Sequence, residues 1–307
     1  MHRVAESGLT HSRFPGEVPV TRIVDMLAAG RTTSFEFFPP KTEEGDRRLR
    51  DALNALEPLG PSFVSVTYGA GGNTRDRTHQ IVVDVLDQTT MTPMAHLTAF
   101  PHTRAELRDI LVQYRDAGVE NILALRGDPP REDPDADPVE IHYASELIEL
   151  VHEVGGDQFS VGVAAHPQLH PLSNGDREQD RKHLAAKLRM ADFGITQFVL
   201  QPTDWIEMVE ELDALGCDTP VLPGIMPVTS VKQIETMVRL SGATFPTWLA
   251  DRLHAAEDDP DEVRRIGVDV ATDLCHDLLE AGAPGLHYYT LNRSTATREI
   301  HERLTGR

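Results

Sequence analysis

Short apolar runs rich in β-branched and aromatic residues return along the chain at intervals that each leave room for one helix, and this alternation constrains the fold more than any other feature. Eight runs have strand length: 33–38, 63–68, 94–100, 121–125, 159–165, 195–200, 221–226 and 285–290. Between them the segments 46–59, 77–86, 105–117, 144–154, 181–191, 205–215 and 231–240 carry apolar residues on one helical stripe. Such alternation requires parallel strands joined by crossover helices. Eight repeats favour closure into a single-domain α/β fold, a (β/α)8 TIM barrel, over an open doubly wound sheet. Segment 20–29 reads as an extra N-terminal helix over the barrel floor and 297–304 as a closing helix, so residues 1–307 are expected to form one catalytic domain whose first stretch, 1–18, is flexible. Segments 131–138 and 256–262 mix acids with prolines and are expected to be solvated loops, the second interrupting a long helical region before strand eight.

Composition narrows the setting. A hydrophobic fraction of 40% supplies one large core without staples. Cys217 and Cys275 are the only cysteines, too few for a zinc site or a disulfide framework, which points to a reducing, cytoplasmic setting. The N-terminus lacks the apolar core of a signal peptide, and no run approaches the roughly 20 apolar residues of a membrane span. A net charge of −20 argues against nucleic acid or an anionic membrane as partner, so any anionic ligand must meet a local cationic pocket. Lysine is scarce beside arginine, which reflects either a GC-rich genome or salt adaptation, the first being favoured.

In a barrel of this kind the active site lies at the C-terminal ends of the strands. Those ends offer Glu36, Thr67, His96, Asp128, His166, Gln197 and Tyr289, each from a different strand. Glu36 sits among aromatic residues in SFEFFPP, and such desolvation raises a carboxyl pKa toward the range of a general acid. A buried glutamate paired with an arginine would give the same pattern. Asp128 closes NILALRGDPP at the same rim, where the plainer reading is a helix cap paired with Arg126. The glycine-rich TYGAGGNTRDRT is neither a P-loop nor a dinucleotide fingerprint; it is a tight turn, or a place where a planar ring can lie close to main chain. His166 and His170 have a metal-like spacing, but a proline intervenes and no carboxylate is near, so no metal is expected. Asp180 and Lys187, seven residues apart on a predicted helix, share one face, which is either a solvated ion-pair face or a hold on ribose and phosphate.

Read in order, SFEFFPPKT, FVSVTYGAGGNTRDRT, HLTAF, ALRGDPP, HYASEL, ITQF, LPGIMPV and HYYTLNR resemble the methylenetetrahydrofolate reductase family over 33–293. The resemblance implies ping-pong chemistry at one mouth. NADH or NADPH reduces a bound FAD and leaves, and 5,10-methylenetetrahydrofolate then takes its place and is reduced to 5-methyltetrahydrofolate for methionine synthesis. It implies Glu36 as the general acid that opens the imidazolidine ring to an iminium, Asp128 as the aspartate that contacts folate and flavin, and Gln197 as the glutamine that holds pterin and nicotinamide in turn. Tyr289 and Arg293 fall in the folate-side block. Thr67, Tyr68, Ala70, His96, Leu125, Arg126, Gly127, Tyr143, Ala144, His166, His170, Asp180 and Lys187 fall on or near FAD positions, which for Asp180 and Lys187 favours nucleotide binding.

The sequence departs from the family at His166, where relatives carry Tyr or Phe, at the weakly basic HLAAK before Lys187, and at Val231, where some relatives place an aromatic. These bear on flavin packing, FAD affinity and the choice of electron donor. A related methylene-pterin reductase using a deazaflavin or no tightly bound flavin is the nearest alternative. A silent folate-binding barrel is the second, against which Glu36, Asp128 and Gln197 together argue. Bacterial relatives imply a homo-oligomer, and feedback by S-adenosylmethionine is not expected.

Overall fold

A computed structural model describes residues 21–68, 75–128 and 140–306; Ala70, the 1–18 stretch and the 131–138 loop lie outside the described residues. Eight parallel strands close into a barrel in chain order: β1 (Thr32–Phe37), β2 (Phe63–Val66), β3 (Pro93–Thr98), β4 (Asn121–Leu125), β5 (Ser160–Ala165), β6 (Phe193–Phe198), β7 (Val221–Ile225) and β8 (Gly285–Tyr289). The outer ring is α2 (Glu43–Leu56), α3 (Arg75–Gln88), α4 (Arg104–Asp116), α5 (Ala144–Gly155), α6 (Arg177–Leu188), α7 (Pro202–Ala214), α8 (Val231–Ser241), α9 (Thr247–His254), α10 (Pro260–Glu280) and α11 (Thr295–Thr305), with α1 (Ile23–Ala29) ahead of the barrel. The expected (β/α)8 architecture is the one observed.

Strand parity sorts the side chains. Phe35, Phe37, Val64, Val66, Leu286 and Tyr288 point outward into the large core between sheet and helices. Their neighbours in sequence must face the barrel interior, because successive strand side chains alternate. The lower interior is filled by Phe63, Met94, Leu123, Phe193, Ile195 and Leu222, and Ile23 of α1 joins them from below. That floor explains α1: the Ile23 amide donates to Asn121 Oδ1 at 2.8 Å and the Val24 amide to Ser160 Oγ at 3.1 Å. Both partners open their strands, so the barrel supplies acceptors for two amides that a helix N-terminus leaves unpaired.

Above this apolar layer the interior turns polar. Register sets Glu36 beside Ser65 on one side and Tyr289 on the other, across the β1–β8 closure. One expectation needs correction: the acidic segment 256–262 is only partly a loop. Asp259 caps α10 by accepting from the Asp261 and Glu262 amides, and Pro260 occupies the first turn, where its missing amide costs nothing.

Candidate active site

Glu36 is 5% exposed and surrounded by polar groups from three other strands. Its Oε2 lies 3.3 Å from His287 Nε2, 3.4 Å from His96 Nε2 and 3.5 Å from Ser65 Oγ, which donates to it. The arginine partner allowed by the sequence is absent: among the described residues the ion-pair neighbours of Glu36 are imidazoles. Burial pushes His96 down to about 4, against the pull of Glu36, so that ring is neutral at pH 7. Its Nε2 makes no hydrogen bond of normal geometry, a polar atom left over in an otherwise satisfied site. The glutamate's main chain is pinned as well, since Thr290 Oγ1 donates to Glu36 O at 2.6 Å.

Tyr289 leans across the mouth, its hydroxyl donating to Thr196 O at 2.6 Å. Burial and the nearby Glu36 carboxylate raise its phenol well above the ordinary value, so it stays protonated. This pose needs Gly224 on β7, where an added Cβ would sit 2.5 Å from the Tyr289 ring and from Thr196 O. Gln197 is half-buried, with Oε1 accepting from the Phe198 amide at 3.0 Å. It shares a crevice with His166, Leu200, Asp204 and Thr244.

A second cluster gathers beyond β5. Asp180 is 9% exposed and accepts the His170 amide at 3.1 Å, while Lys187 Nζ donates to Ala164 O at 2.6 Å. Burial brings Lys187 down to about 8, partly offset by Asp180. The pair does share one helical face, but that face is turned inward rather than solvated. His166 and His170 stack edge to face at 4.6 Å, and burial first, then His170 and Lys187, lowers His166 to about 4. Among the described residues no cluster of histidines, cysteines and carboxylates could hold a metal.

The remaining residues frame these clusters. Gly127 has φ of +80°, and a Cβ there would lie 3.1 Å from Phe100 O, so only glycine lets the chain turn this closely after β4. Arg126 Nε donates to His142 O at 3.1 Å, tying that turn to the start of α5; Asp128 is exposed, and among the described residues it makes no ion pair with Arg126. Leu125 packs against the interior cluster, and Tyr143, which precedes Ala144 at the head of α5, is 66% exposed. Thr67 O accepts from Thr78, and the Tyr68 hydroxyl pairs with His102 Nε2 at 2.8 Å among outer-layer residues. Arg293 is exposed, its amide donating to Thr290 O.

Comparison with known proteins decides the family. The model of the methylenetetrahydrofolate reductase family matches residues 22–305. The chain belongs to this family. It is 36% identical over 268 residues to the 5,10-methylenetetrahydrofolate reductase of Escherichia coli (strain K12), covering 87% of this chain and 88% of that one. It is 35% identical to methylenetetrahydrofolate reductase 2 of Saccharomyces cerevisiae, spanning 89% of this chain but 47% of the yeast protein. Among solved structures, a Clostridium thermocellum protein described as binding two copies of 5-methyl-5,6,7,8-tetrahydrofolic acid superposes with a TM-score of 0.63 at 16% identity, covering 92% of this chain and 98% of that one. At that identity it supports the barrel fold alone.

Within this methylenetetrahydrofolate reductase barrel, several residues that touch the candidate site are not evident from strand ends. Ser34, Ser65 and His287 lie one pleat or more below the rim, on the inward parity of β1, β2 and β8. Arg181, 3% exposed, was also missed: it pairs with Asp180 and Glu211 and donates to the His166, Pro167 and Gln168 carbonyls. Inward parity could have found the first three. Nothing in sequence marks Arg181, because its task depends on the path of the loop it holds.

Proposed function

We propose that this chain reduces 5,10-methylenetetrahydrofolate to 5-methyltetrahydrofolate at the barrel mouth, with Glu36 as the proton donor and FAD as the bound cofactor. The observation that carries this reading is the buried Glu36 carboxylate on the inward face of β1, with Ser65, His96 and His287 within 3.5 Å of its Oε2, a position from which it can serve as acid toward a substrate nitrogen. FAD, once bound, would accept hydride from NADH or NADPH and pass it to the folate carbon. The residues present suit a dinucleotide of this kind. Lys187 is a half-buried cation on the inward face of α6, Gly127 lets main chain come close, and His96 Nε2 is a buried polar atom without a full partner. Asp180 and His170 would meet the ribose and phosphate side, Thr67, Arg126 and Tyr143 the rest of the cofactor.

Asp128 would bring negative charge to the flavin and folate edge, and Gln197 would hold first nicotinamide and then pterin through its amide. Tyr289 and Arg293 would border the folate. A homo-oligomer is the assembly we expect. The test is the visible spectrum of the purified protein without oxygen, supplied with FAD if colourless, on adding NADH and then methylenetetrahydrofolate. Bleaching of the oxidised-flavin band followed by its return supports both half-reactions. A protein that takes up no flavin contradicts the cofactor assignment and points to a flavin-free reductase, with His166 and the weakly basic stretch before Lys187 as the reason.

A further inference from the structure

We propose that Arg181 is a positioning residue for the flavin side of the site: its buried guanidinium fixes the course of segment 166–170 and with it the His166 and His170 rings. This rests on FAD being the bound cofactor. Arg181 is 3% exposed and stands on α6 next to Asp180. Its Nε donates to Glu211 Oε2 at 2.6 Å, its Nη1 to Asp180 Oδ2 at 2.9 Å and to His166 O at 3.3 Å, and its Nη2 to the Pro167 and Gln168 carbonyls, the second at 2.8 Å. Every N–H of the guanidinium therefore meets an acceptor.

Packing alone does not ask for this arrangement. Segment 166–170 follows β5 but belongs to neither strand nor helix, so its backbone groups need partners from elsewhere. Arg181 takes the carbonyls of His166, Pro167 and Gln168, and Asp180 holds the far end by accepting the His170 amide at 3.1 Å. Adjacent residues of α6 thus secure the segment at both ends, and Glu211 of α7 anchors the arginine from behind. A buried ion pair adds little net stability over a well-packed apolar side chain, so stability gives no reason for an arginine here. A planar fork with fixed donor directions does give one, because it admits a single backbone path; a lysine ammonium has fewer donors and no fork.

What the segment carries ties it to the site. His166 and His170 meet edge to face at 4.6 Å on the side assigned to FAD. Gln168 reaches the other way: its Oε1 accepts from the Thr244 amide at 2.9 Å and from the Thr244 hydroxyl at 3.1 Å, and with His166 and Pro167 it lines the crevice that also holds Gln197. One short stretch of main chain therefore sets both the two rings and the crevice wall. Arg181 acts through these side chains, and its contribution is preorganisation, since a segment already held in place does not have to be ordered when the cofactor binds.

Two measurements on the full chain carrying Arg181→Lys test this. Hydrogen exchange of the flavin-free protein should be faster at the Gln168, Leu169 and His170 amides, with β5 and α6 protected as in the parent. Equilibrium titration with FAD should give a Kd about tenfold higher than the parent's. Arg177→Ala, which removes an exposed pair to the same Glu211, should bind FAD as the parent does. Glu211→Gln keeps the arginine and weakens its anchor, so it covers the case in which Arg181→Lys does not fold, and should raise the Kd about threefold. Unchanged exchange in the segment, or an equal loss of affinity in Arg177→Ala, overturns the proposal. A parent that binds FAD beside a folded Arg181→Lys or a Glu211→Gln that binds it equally well overturns the role of Arg181 alone, whereas a parent that binds no FAD overturns the cofactor reading and this role together.

Discussion

Gly224 shows that a site can depend on an absent side chain: the Tyr289 ring occupies the space a Cβ would need. Gly224→Ala should displace Tyr289, break its bond to Thr196 O and cost about 1–3 kcal/mol, the usual range for overpacking. Urea unfolding measures this, and a variant as stable as the parent would show that the ring can move freely. Lys187 makes a prediction about pH. Its value is lowered to about 8, so it is charged below that pH and loses its charge as pH rises through it. Affinity for FAD should therefore weaken between about pH 7 and 9 in the parent protein, and Lys187→Met should be weak at both ends of that range. Equilibrium titration with FAD checks both, and a parallel fall in the variant would assign the pH effect to another group. Reading strand ends found Glu36, His96 and Tyr289 because each lies on the last inward pleats of its strand. It passed over Ser34 and His287, whose inward parity was equally legible, because only rims were searched.

At the scale of elements, the alternation of runs was enough to place all eight strands, since a barrel strand buried on both faces is a continuous apolar stretch bounded by turns. Boundaries were less legible because caps decide them. Helix α2 starts three residues before the apolar stripe suggests, since Thr42 accepts the Gly45 amide and the first turn is acidic. Helix α10 starts inside an acidic, proline-containing segment for the same kind of reason. The floor helix α1 depends on tertiary capping that no local pattern reveals. Asn121 accepts from Ile23 and donates to the Thr21 and Pro93 carbonyls, so Asn121→Ala leaves buried groups unpaired and should cost about 1–3 kcal/mol. Loss of amide protection confined to α1 in hydrogen exchange would locate the effect; protection equal to the parent would contradict the capping role.

For the whole molecule, a net charge of −20 coexists with two cations, Lys187 beside β5 and Arg126 at the turn after β4, while burial keeps the neighbouring His166 uncharged at pH 7. If the acidity reflects genome composition, melting temperature should level off once self-repulsion is screened at about 0.2 M KCl. A rise continuing to molar KCl would mark salt adaptation instead. In the proposed reaction the barrel presents Glu36 as an acid to folate and not to nicotinamide. Stopped-flow absorbance of Glu36→Gln tests it most directly, with NADH and methylenetetrahydrofolate mixed in separate experiments. Flavin reduction by NADH should stay close to the parent rate, and folate reduction should slow by about a hundredfold or more. Equal loss in both half-reactions, or none in the folate step, would contradict it.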